Sequence, residues 1–171
     1  YRDVVASVAA ELEAARDAAT RAGLDRASIT LDPGLGFHKS AAHSLRLCVE
    51  LDRLSQLGCP LLVGPSRKSF LVQVTGSSAT LAPPERRLGA TIAACLLCAK
   101  AGAAVLRVHD VEAVAQALAF SRAAQAPSLA LASEGAPAHA RCPPPAPLRS
   151  RAGEPIARRA RNPNWPIVLW T

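Results

Sequence analysis

Three short apolar runs, at 28–31, 60–63 and 103–108, each end in a polar turn and lead into a stretch with helical spacing. Strand–helix alternation of this kind leaves few folds open. Consecutive strands lie parallel, and each helix crosses back over the sheet with a right-handed connection. The fold class is therefore α/β. Ligands of such folds sit at the carboxyl ends of the strands, so chemistry is expected at the three turns.

The intervening segments fit that plan. Val4, Val5, Val8, Leu12, Ala15 and Ala19 predict a helix over 4–22. A second helix is expected over about 41–57, with Leu45, Cys48, Leu51 and Leu54 along one face. A short helix near 69–74, with Ser69 placed to cap it, a long one over 85–101 and a last one over 111–120 complete the set. The segment 75–84, with Gly, Ser and a Pro pair, reads as an exposed loop.

Charge divides the chain into a domain at 1–120 and an extension at 121–171. Residues 1–120 hold 13 Lys/Arg against 11 Asp/Glu, whereas 121–171 hold 7 Arg against 2 Glu and 9 of the 14 Pro. The net charge of +7 thus comes mostly from the extension. The near-neutral domain gives no reason to expect a nucleic-acid partner. The Pro/Arg-rich extension has no sustained period and reads as disordered or loosely attached. No apolar run approaches the roughly 20 residues of a membrane helix. Cys95 and Cys98 lie within an apolar helical run and read as small core residues rather than metal ligands. Five cysteines without disulfide spacing fit a reducing cytoplasm.

Each turn carries chemistry that can also be read structurally. Asp32, fixed by Pro33 and Gly34, is either a turn cap or a carboxylate for a paired N–H edge such as that of a pterin or guanine. Gly34-Leu35-Gly36 lacks the third Gly of a dinucleotide fingerprint. Lys68 can donate to a ring carbonyl or nitrogen, and Ser69 can hold a carboxylate at a helix start. Arg67 can pack its stem over an aromatic ligand or face water, and Phe37 can be a pocket wall or core. Arg107 and His109 are two apart on a strand and share a face, which makes an anion clamp.

In order and spacing, Leu31-Asp32-Pro33-Gly34-Leu35-Gly36-Phe37, Gly64-Pro65-Ser66-Arg67-Lys68-Ser69-Phe70 and Arg107-Val108-His109-Asp110 resemble the last three strand-end motifs of the dihydropteroate synthases. The resemblance covers about residues 1–120. It implies a (β/α)8 TIM barrel, of which this chain holds the last three strand–helix units. It also implies a magnesium-dependent transferase of folate synthesis, a target of sulfonamides, that joins 4-aminobenzoate to a hydroxymethyl-dihydropterin diphosphate. On that resemblance Asp32 and Lys68 bind pterin, and Arg107 and His109 bind diphosphate. Phe37, Ser66, Arg67 and Ser69 bind 4-aminobenzoate. Lys68, Arg107 and His109 form the catalytic set, no metal ligand falls in this chain, and the full-length protein is a homodimer.

A complete barrel takes about 250 residues, so the chain is expected to be an inactive fragment of low stability. Two other readings are a pterin-binding module of a methyltetrahydrofolate–corrinoid methyltransferase, which has no diphosphate to clamp, and a truncated non-catalytic copy.

Overall fold

In the computed structural model, residues 1–74 and 83–125 are described, together with the backbone of 168–170. The loop expected at 75–84 falls almost wholly outside the described residues, as does most of the extension.

Helix α1 spans Val4–Arg21 and begins where Asp3 Oδ1 accepts the Val5 and Ala6 N–H groups at 3.0 and 3.2 Å. A 3-10 turn, Arg26–Ser28, follows, with Asp25 capping it through the Ala27 N–H. That cap shortens the first expected strand. Only Leu31 pairs, bridging Leu61 in parallel, with its N–H on the Pro60 carbonyl at 2.9 Å.

The helix expected over 41–57 is two helices, α2 at Ala41–Val49 and α3 at Leu51–Ser55. Glu50, at φ −100° and ψ 26°, breaks them and holds both Arg46 and Arg53 on its carboxylate at 2.6 Å. The buried face is Ser44, Leu47, Cys48, Leu51 and Leu54, while Leu45 is 39% exposed. Leu47, not Leu45, fills the core.

Strand β1, Leu62–Val63, leads into α4, Phe70–Gln73. A 3-10 turn at Pro84–Arg87 then opens α5, Leu88–Lys100. Strand β2, Val105–Arg107, and α6, Val111–Gln125, follow, so the last helix runs past the end expected at 120. Within the extension, the backbone of Val168–Trp170 forms β3. The sheet order is β1-β2-β3; β1 and β2 are parallel, as the alternation predicts, and β3, in the stretch expected to be disordered, also pairs in parallel. β2 would otherwise present an unpaired edge, and β3 takes it up with Leu106 opposite Leu169.

The core lies between the strands and the helices. Leu61, Val63 and Leu106 from the strand segments meet Val4, Val5 and Val8 of α1, Leu47 and Leu51, and Val114 of α6. Cys95 and Cys98 are fully buried, as their apolar setting predicts. Burial pushes the Cys95 thiol up to about 12, and a hydrogen bond with Cys48 together with burial raises Cys98. Both stay inert thiols at neutral pH. No described helix is long and apolar enough to cross a membrane.

Candidate active site

The three polar turns meet at the carboxyl edge of the sheet. In the first, Asp32 Oδ1 accepts the Gly34 N–H at 2.8 Å, closing the turn after Leu31. Lys39 Nζ staples the loop from below through the carbonyls of Gly34 and Phe37 at 3.2 and 3.3 Å. Buried Ser44 anchors it to α2 by accepting the Gly36 N–H at 3.1 Å. Gly36 sits at φ +72°, and a Cβ there would lie 3.0 Å from Lys68 Cδ. Its lack of a side chain is what lets the Lys68 stem pass.

The second turn delivers Ser66, Arg67, Lys68 and Ser69. Lys68 Nζ donates to the Leu35 carbonyl and sits 3.9 Å from the centroid of the Phe37 ring. Burial holds its pKa below the usual lysine range, Asp32 opposes the shift, and positive Arg107 and Lys39 add to it. Phe37 is 62% exposed, so it lies at the surface rather than in the core. Ser69 occupies the first position before α4 but makes no capping bond through its side chain, which leaves its hydroxyl exposed.

Arg67 is the most constrained residue of the three turns. Its backbone stands at φ +59°, and its N–H donates to Thr91 Oγ1 at 3.0 Å. Its carbonyl accepts from Arg87 Nη1 at 2.6 Å. The guanidinium forms a two-pronged pair with Asp110, Nε to Oδ2 at 3.1 Å and Nη2 to Oδ1 at 2.8 Å. The pair raises the Arg67 pKa and holds the Asp110 carboxyl below the usual carboxylate range.

The third turn follows β2. Arg107 and His109 are exposed on one face with Val108 buried between them, as their spacing predicts. Together with Arg67 and Val108 they line a cleft of about 270 Å³. Ser66 is turned inward: its Oγ accepts the His109 N–H at 3.2 Å and lies 3.0 Å from His109 Nδ1. Thus all the candidate residues reach one edge. Asp32, Phe37 and Lys68 group on one side, and Arg67, Arg107 and His109 on the other.

Sequence reading gave Asp110 and Thr91 no role, and both hold Arg67. Asp110 directly follows Arg-x-His at a helix start, and that position alone does not point to Arg67. Thr91 lies 24 residues from Arg67 and carries no local signal. Among the described residues, no three of His, Cys, Asp and Glu stand together. They do not fit a magnesium site, and no step below passes through one.

Fold and site define an α/β protein whose ligand site lies across the carboxyl ends of parallel strands. The family model "Pterin binding enzyme" matches residues 1–109. The chain belongs to that family, which includes the dihydropteroate synthases. It is 45% identical over 119 residues to the dihydropteroate synthase of Mycobacterium leprae (strain TN), covering 69% of this chain and 42% of that protein. The structure of dihydropteroate synthase from Xanthomonas albilineans in complex with 7,8-dihydropteroate superposes with a TM-score of 0.69 at 44% identity, covering 74% of this chain and 47% of that one. The same enzyme has also been solved with 4-aminobenzoic acid. The Yersinia pestis enzyme, in complex with a sulfonamide drug, gives 0.67 at 32% identity over 74% of this chain and 44% of that one. The chain thus spans less than half the length of the relatives it matches.

Proposed function

We propose that this chain carries the ring- and diphosphate-binding part of a dihydropteroate synthase. That enzyme joins 4-aminobenzoate to 6-hydroxymethyl-7,8-dihydropterin diphosphate and releases diphosphate. The observation that carries the reading is the cleft in which Arg67, Arg107 and His109 converge beside Lys68 and the Asp32 turn. A methyl carrier has no anion of that kind to hold, so the cleft favours the synthase.

The three strand segments are, on this reading, the last three units of a (β/α)8 barrel, and residues 1–120 hold that C-terminal part of it. Asp32 offers its exposed carboxylate to the paired N–H edge of the pterin, and Lys68 donates to the ring from the other side. Arg107 and His109 stabilise charge that builds on the diphosphate as the C–O bond breaks. The resulting pterin methyl cation is attacked by the neutral aromatic amine. No side chain becomes a covalent nucleophile, and the protein's contribution is position and electrostatics. Phe37, the Arg67 stem and the Ser69 hydroxyl border the 4-aminobenzoate, with Ser66 fixing the turn beneath them. Free thiols at Cys48, Cys59, Cys95 and Cys98 suit a cytoplasmic location.

Lys68→Ala tests the ring assignment. It should weaken pterin binding by about 1–3 kcal/mol, as for a lost charged hydrogen bond, and calorimetric titration with a pterin measures it. Unchanged affinity would remove Lys68 from the site. The apolar groove between α5 and α6, of about 650 Å³ with Phe120 77% exposed on its rim, supports a homodimer of the whole protein. Sedimentation of that protein as a monomer at micromolar concentration would contradict the dimer.

A further inference from the structure

The His109 ring has two nitrogens, and only one of its neutral tautomers offers the cleft a donor. Ser66 decides which. The Ser66 side chain is 5% exposed, and its only partners among the described residues are the His109 N–H and His109 Nδ1. A serine hydroxyl has one proton to give and lone pairs to receive. One lone pair already takes the backbone N–H of His109.

Suppose Nδ1 carried the ring proton. Ser66 Oγ would then receive two N–H groups from the same residue, and its own buried proton would have no acceptor among the described residues. Buried polar groups are rarely left so. If instead the hydroxyl donates to Nδ1, every group in the contact is matched. The ring proton must then sit on Nε2, on the far side of the ring from Ser66. His109 lines the cleft together with Arg107 and Arg67, two fixed cations. A donor at Nε2 adds to their attraction for an anion, whereas a lone pair there would oppose it.

We propose that Ser66 is a positioning residue that holds His109 as its Nε2–H tautomer and so turns the ring into a hydrogen-bond donor for the anion cleft. The anion's identity as diphosphate rests on the function proposed above, while the tautomer does not. Ser66 therefore acts through His109 and not by touching 4-aminobenzoate.

Long-range 1H–15N spectra of the 171-residue chain read the tautomer directly. They are recorded above the ordinary imidazole pKa of about 6.5, with His109→Gln identifying the resonance. The wild-type chain should show protonated Nε2 and bare Nδ1 at His109. Ser66→Ala should lose that bias and bind inorganic diphosphate about tenfold more weakly. Ser66→Thr, which keeps the hydroxyl, should restore both. A wild-type Nδ1–H ring, or an unchanged tautomer in Ser66→Ala, would overturn the proposal. Should Ser66→Ala fail to fold, Ser66→Gly takes its place, and a wild-type Nδ1–H ring still overturns the proposal. An Nε2–H ring that depends on the Ser66 hydroxyl, in a chain indifferent to diphosphate, would uphold Ser66's role and sink the proposed use of the cleft.

Discussion

Arg67 holds a backbone conformation that non-glycine residues seldom adopt, and three contacts keep it there. Its side chain then reaches Asp110 with two hydrogen bonds. A glycine would suit the backbone and lose the pair. Because Arg67 depresses the Asp110 pKa, the pair stabilises the fold above the ordinary carboxylate value of about 3.9. That contribution disappears as pH falls through the lower, folded value. A double-mutant cycle on Arg67→Ala and Asp110→Asn should therefore show coupling at pH 7 that shrinks toward zero in strong acid. Coupling that stayed constant through the carboxylate range would contradict the ion-pair account. Asp110 was legible only as the end of the third motif, not as a partner of Arg67. Pairing across 43 residues is a tertiary fact, and a motif read along the chain does not contain it. Asp32, Lys68, Arg107 and His109 were legible because strand periodicity and turn residues alone put them at one edge.

At the scale of elements, the turns are held by what packs beneath them. Thr91, fully buried on α5, accepts the Arg67 N–H and so ties the second turn to a helix. Thr91→Val keeps the shape and leaves that N–H without its partner. It should cost about 1–3 kcal/mol in a urea melt, and a neutral result would mean that the turn holds itself. The strand edges behave differently. Val105 donates its N–H to the Leu61 carbonyl, so alternation along β2 turns the Leu106 N–H toward β3. Deleting 168–171 should speed amide exchange at Leu106 and leave Val105 protected. Equal protection at Leu106 in both chains would mean that β3 does not pair there. Local periodicity found α1, α5 and α6, and missed the break at Glu50. Leu45 and Leu47 both lie before that break, in one helix, and only the packed core reveals which leucine is buried. The expected strand at 28–31 shrank because the Asp25 cap competes for its first residues. Pairing of β3 was not legible, since a three-residue strand is defined by the edge it meets.

At the scale of the molecule, a parallel sheet under a cover of helices puts every candidate residue on one rim. That arrangement follows from strand–helix alternation in the sequence. The sequence did not show how the rim is wired, with Ser66 to His109, Arg67 to Asp110, and Lys68 to Leu35 and Phe37. Those contacts join residues 31 to 43 positions apart. The central claim is that this wired rim transfers a pterin methyl group from diphosphate to an aromatic amine once the rest of the barrel is present. Formation of dihydropteroate by the native protein that bears this sequence, compared with its Arg107→Ala variant, tests it most directly. The account predicts turnover in the native protein and a fall of about a hundredfold in the variant, with the KM for 4-aminobenzoate changed much less. No dihydropteroate from the native protein, or normal turnover without Arg107, would contradict it.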